Sequence, residues 1–103
     1  MTGPAMDFDQ FQTQDRRLVL LRALENADGY QANSILLGRY CTAVGHSVSA
    51  DRLASDIAWL REQQLVTVRE LDGVSIVKLT ERGRDVALGT ARVPGVARPQ
   101  PGF

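Results

Sequence analysis

A chain of 103 residues supports one domain with a modest core, and its single cysteine, Cys41, with its single histidine, His46, excludes an internal disulfide framework and a structural zinc site. Twelve Lys and Arg against twelve Asp and Glu give a formal net charge of zero, so any field that attracts a polyanion is local rather than global. No apolar run approaches the ~20 residues of a bilayer span, and MTGPAMDFDQ is acidic where a signal peptide is basic, so the expected compartment is the cytoplasm, with no membrane partner.

In chain order, residues 1–14 are polar, with Gly and Pro early, and read as a partly ordered arm in which Phe8 and Phe11 fold back onto the domain or meet a partner. From about Asp15 to Ala27, Leu20, Leu21, Ala23, Leu24 and Ala27 share one helical face, which predicts the first core helix. Leu18 and Val19 fall off that stripe and require cover from the arm or from another chain. Asp28-Gly29 ends the helix, and Asn33 or Ser34 caps a second one that runs to Val44. Its predicted buried stripe is Leu36, Leu37, Tyr40, Cys41 and Val44, with Ile35, Arg39 and Thr42 outward.

Gly45-His46-Ser47 forms the turn into a third helix capped by Ser49, as in a helix-turn-helix. Leu53, Ile57 and Leu60 form its core face, while Asp51, Arg52, Ser55, Trp59 and Glu62 point away. A hairpin follows, with a type I′ turn at Asp72-Gly73 that sets Leu71 opposite Val74, Arg69 opposite Ile76, Val68 opposite Val77 and Val66 opposite Leu79. Thr80 caps a last helix, Gly83 sits where close packing excludes a side chain, and Gly89 ends it. Residues 90–103 carry Pro, Gly and Arg without a period and read as a flexible tail.

The predicted fold class is α+β and mostly helical: a winged helix-turn-helix over residues 15–89 with a two-stranded wing and a short C-terminal helix. The segment from Leu65-Val66 through the hairpin to Leu79-Thr80-Glu81-Arg82-Gly83 resembles the wing and closing helix of MarR, PadR and ArsR-like regulators. A broader resemblance is carried by Asn33-Ser34, Gly45-His46-Ser47-Val48-Ser49, Ala58-Trp59-Leu60, Leu79-Thr80-Glu81-Arg82-Gly83 and Val93-Pro94-Gly95-Val96-Ala97-Arg98-Pro99, which look like a small winged-helix family of Mu-like phages and prophages. In that family the gene tends to lie near DNA-packaging and head genes. The resemblance implies a phage protein with a DNA-related or regulatory role.

Two functions follow as expectations. The first is a dimeric winged-helix protein that binds double-stranded DNA through Arg39, Ser49, Arg52 and Ser55 of the helices and Arg69 and Lys78 of the wing. Asp51 and Asp56 beside the helix, and Glu70 and Asp72 at the wing tip, oppose it. The second is an interaction module that docks onto phage proteins without reading bases. Phe8, Phe11, Leu18, Val19, Trp59, Leu71, Val74 and Ile76 form the expected homodimer or partner surface, because clustered exposed apolar groups mark association; the alternative is that Trp59 folds over the base of the hairpin and shields Leu71, Val74 and Ile76 within one chain. Cys41 reads as a core residue and His46 as a turn residue that is solvated or caps polar groups. No nucleophile-base pair or phosphate-cradling loop is present, so no enzyme, cofactor or metal is expected.

Overall fold

Asp7 opens the first helix in the computed structural model, which describes residues 7–100. Its carboxylate accepts from the Gln10 backbone N–H at 2.8 Å, and the Gln10 side chain accepts from the Asp7 N–H at 3.2 Å. This reciprocal pair satisfies two donors that a helix start otherwise leaves orphaned. Helix α1 therefore spans Phe8–Glu25, seven residues earlier than the sequence periodicity predicts. The described part of the expected arm is helical, and residues 1–6 lie outside the described region.

A 3-10 turn at Asp28–Tyr30 leads into strand β1 (Gln31–Asn33) and helix α2 (Ser34–Ala43), whose first turn is capped by the Asn33 side-chain Oδ1 accepting from Leu36 N–H at 2.7 Å. Ser49 caps helix α3 (Ala50–Glu62) through Arg52 N–H at 3.1 Å. Strands β2 (Val66–Leu71) and β3 (Val74–Leu79) form the hairpin, and Thr80 caps helix α4 (Glu81–Leu88) by accepting from Gly83 N–H at 2.9 Å. Among the described residues this makes an α+β fold of four α-helices and one three-stranded antiparallel sheet.

The hairpin pairs in the predicted register, from Leu71 opposite Val74 to Val66 opposite Leu79. Asp72 and Gly73 both take positive φ, 52° and 79°, as a turn matched to the strand twist requires. The sheet is not two-stranded, however. β1 pairs with β3, with Ala32 opposite Val77, and the strand order is β1-β3-β2. Asn33 thus ends the added strand and caps α2 at once, which ties the start of α2 to the sheet.

The core lies where α1, α3 and α4 converge on the inner face of the sheet. Leu20, Leu21, Leu24, Leu60, Leu65, Val66 and Val77 are all but inaccessible to solvent. Gly83 sits against the Leu65 carbonyl so closely that a Cβ would fall 2.0 Å from that oxygen, which explains why α4 carries no side chain there. No helix of the described residues is long and apolar enough to cross a membrane.

Three expectations about burial are corrected. Leu18 is a core residue, 5% exposed, and Val19 packs half-buried against the same core, so neither awaits a second chain. The cover comes from the same chain: α2 and the returning tail flank this face of α1, with Tyr40, Val44 and Arg98 bordering the cleft that holds Leu18 and Val19. On α2 only Leu37 and Cys41 of the predicted stripe are buried, while Leu36, Tyr40 and Val44 are exposed. The helix is apolar on most of its circumference, and the body covers only one side. Residues 90–100 do not leave the domain. Val93 and Val96 are buried, and Ala97 N–H donates to the Gln14 carbonyl of α1 at 3.1 Å. Residues 101–103 lie outside the described region.

Candidate interaction groove and nucleic-acid face

Helix α3 has two flanks with different chemistry. On the flank toward α1, Asp56 is 2% exposed and forms an ion pair with Nε of Arg16, itself 4% exposed. Arg17 Nε stands 3.5 Å from the other Asp56 oxygen, an electrostatic contact without hydrogen-bond geometry. The Arg17 guanidinium lies 3.9 Å from the Trp59 ring centroid and donates to the Gly95 carbonyl at 3.1 Å. Gly95 has φ of 101°, and a Cβ there would come within 2.6 Å of the Trp59 ring. The Val93-Pro94-Gly95-Val96 turn is therefore a clasp that closes over Trp59. Trp59 neither shields the hairpin nor belongs to a free partner surface, because the returning tail occupies its face.

Asp56 also does not flank the DNA candidates as expected, since it points into the body. The signal was present in the spacing: Leu53, Asp56, Ile57 and Leu60 form one helical stripe, and Arg16 precedes Leu20 and Leu24 by whole turns on α1. Opposite charges on two stripes that must both be buried indicate a buried pair. Nearby, His46 Nε2 lies 2.7 Å from Asp15 Oδ2, which pins the turn between α2 and α3 to α1 instead of leaving it solvated. Burial pushes the Cys41 thiol up from its ordinary range; the Arg16 charge partly offsets this and Asp56 adds to it, as suits an inert core residue.

On the other flank α2, α3 and the hairpin border a groove of about 680 Å³. Leu53 and Ile57 form its floor, and Ala50, Ala54 and Ala58, at whole-turn spacing, form the α3 wall. These short side chains, together with Gly38, where a Cβ would stand 3.1 Å from Leu53, keep the space between the helices open. Val68 and Ser75 close the sheet end. Arg39 of α2 and Arg61 of α3 border the groove, and no carboxylate lines it. Arg61 escaped the sequence reading because it sits off the core stripe among alanines, which contribute no signal of their own.

The remaining DNA candidates do not share a single surface, although Ser49 and Arg52 border one small polar pocket and Ser49 also reaches the groove edge. Ser49 is exposed but uses its oxygen for the α3 cap, and the exposed Arg52 points back toward α1, with Nη1 3.7 Å from Asp9 Oδ1. Ser55 lies on the outward stripe of α3 with Asp51 and Glu62, all exposed and none lining the groove. Side chains alternate across a strand, and Val68 and Ser75 face the groove, so Arg69 and Lys78 project from the opposite face of the sheet. On that outer face Leu71 is exposed, whereas Val74 and Ile76 are half-buried. Phe8 and Phe11, 73% and 59% exposed, are the most prominent apolar groups at the start of α1.

No protein-family model matches the chain. It is 53% identical over 89 residues to the uncharacterized protein gp26 of Escherichia phage Mu, covering 86% of this chain and 92% of that protein. It is 40% identical over 78 residues to an uncharacterized protein of Haemophilus influenzae, covering 75% of this chain and 76% of that protein. The first match takes in most of the four-helix body and its sheet, so the chain belongs to the family of phage Mu gp26, a family of Mu-like phage proteins.

Proposed function

We propose that this protein is a winged-helix interaction module of Mu-like phages that receives a protein segment in the groove between α2, α3 and the hairpin and does not read DNA sequence. The helix-turn-helix order, the hairpin as wing and the closing helix support the winged-helix assignment. One observation carries the functional reading: the outward stripe of α3, which a DNA reader inserts into the major groove, holds Asp51 and Glu62 and no cation, while an apolar trough lies beside it. Carboxylates on that stripe meet phosphate repulsion, which leaves Ser55 as its one neutral hydrogen-bonding side chain.

The second reading is a dimeric DNA-binding protein, regulatory or accessory to DNA transactions, and the cations Arg39, Arg52 and Arg61 around α3 favour it. Anisotropy of a labelled duplex across a salt series separates the two. The interaction module binds no tighter than the roughly 10⁻⁴ to 10⁻⁶ M of nonspecific phosphate contact. Sequence-dependent binding well below that range, with a steep negative salt slope and a loss of about 1–3 kcal/mol in Arg52→Ala, supports the DNA reading and overturns the module.

A further inference from the structure

The groove has a complement elsewhere on the same chain. Phe8 and Phe11, three residues apart, stand on one face of the first turns of α1 and are the two most exposed aromatic side chains described. Asp7 and Asp9 flank them, both exposed. A trough with an apolar floor and two arginines at its border thus exists in the same molecule as a helical end with two aromatics and two carboxylates. Its volume of about 680 Å³ lies within the range that holds a drug-sized apolar ligand, ample for two phenyl rings.

A chain cannot close this contact on itself. Asp9 meets Arg52, and Arg52 lies two residues from both Ala50 and Ala54, on the far side of α3 from the alanine wall. The start of α1, continuous with the packed part of that helix, therefore stands across α3 from its own groove. The Asp9–Arg52 contact is exposed and 3.7 Å long, too weak to hold Asp9 against a better partner.

We propose that the groove of one copy receives the first turns of α1 from a second copy, with Phe8 and Phe11 on the Leu53 and Ile57 floor and the Asp7 and Asp9 carboxylates toward Arg39 and Arg61. The inference rests on the interaction reading above and names its partner. Each chain carries both halves, so two copies can exchange them reciprocally as a two-fold dimer, the closed arrangement that leaves neither half free to propagate a filament. Aromatic and arginine anchors are the side chains that carry such interfaces.

The test is light scattering on the full chain over a micromolar concentration series. The expected wild-type species is a dimer. Phe8→Asp with Phe11→Asp on one chain, and Ala54→Arg on another, each raise the dissociation constant by roughly thirtyfold or more, as loss of a hot-spot contact does. Mixing the two variants restores one intact docking contact, and a one-to-one heterodimer forms that neither variant makes alone. Melting curves confirm that both fold; if Ala54→Arg does not, Ala58→Arg fills the same wall. A monomeric wild type, a variant that dimerises like wild type, or a mixture that stays monomeric overturns the exchange. Duplex binding is read on the wild type alone, where tight, salt-sensitive binding overturns the interaction reading whatever the mass.

Discussion

On one side of α3, Arg16 and Arg17 are held by Asp56, Trp59 and the Gly95 carbonyl; on the other, Arg39 and Arg61 border a trough lined by no carboxylate. The same residue type thus serves two purposes, set by what surrounds it. In the clasp, Arg16 is removed from water and depends on Asp56, while Arg17, its Nε without a hydrogen-bond partner, rests on the Asp56 charge, the Trp59 ring and the Gly95 carbonyl. At the groove, water still solvates the guanidinium groups, so their charge remains available to an incoming carboxylate. The difference teaches where substitutions should unfold the chain and where they should leave it folded but unable to assemble.

The strongest way to break the comparison is Asp56→Ala. It leaves Arg16 buried beside Arg17 without a counter-charge, and loss of one partner of a buried pair costs about 3–5 kcal/mol. Chemical denaturation should show that loss, against a change within about 0.5 kcal/mol for Arg39→Ala or Arg61→Ala. Equal losses at both places would mean that the groove arginines are structural too. Next in size, Gly95→Ala puts a methyl group against the Trp59 ring at a backbone angle that disfavours it, a cost of about 1–3 kcal/mol. Its readout is a lowered melting temperature with faster proteolysis of the Val93-Val96 turn. A stable variant would show that the clasp is looser than its contacts imply. Ser49→Ala should cost about 1 kcal/mol through the lost α3 cap, without altering either flank.

How much of this was legible from the residues depends on how strongly each segment encodes its own period. The hairpin register was readable to the residue because strict alternation and Asp72-Gly73 admit one pairing. The caps at Asn33, Ser49 and Thr80 and the tight packing at Gly83 were readable for similar local reasons. Gln31-Ala32-Asn33 was not: three residues carry no alternation, and their strand exists only because β3 offers an edge. The tail was misread because Pro94 and Gly95 look like linker residues, whereas Val93 and Val96 are the buried members and the glycine is there to admit Trp59. The start of α1 was written in Asp7 and Gln10, a capping pair obscured by two aromatics that lack a core to face. The groove left the faintest trace, since alanines on a polar helix look like filler until a second helix stands beside them.

The smallest expected effect on stability bears most directly on function. Asp51→Lys with Glu62→Lys reverses the only charges on the outward stripe of α3, at exposed sites where substitutions stay within about 0.5 kcal/mol. If that stripe never approaches nucleic acid in the native protein, the variant keeps the wild-type mass, because neither residue lines the groove. It also gains duplex affinity that the wild type lacks, with a salt slope steeper by about 0.9 for each new phosphate contact. If the wild type already inserts α3 into DNA, the same substitutions raise an affinity that was measurable beforehand. The starting affinity, rather than the gain, then distinguishes a stripe that has been kept away from phosphate from one that tolerates its carboxylates beside it.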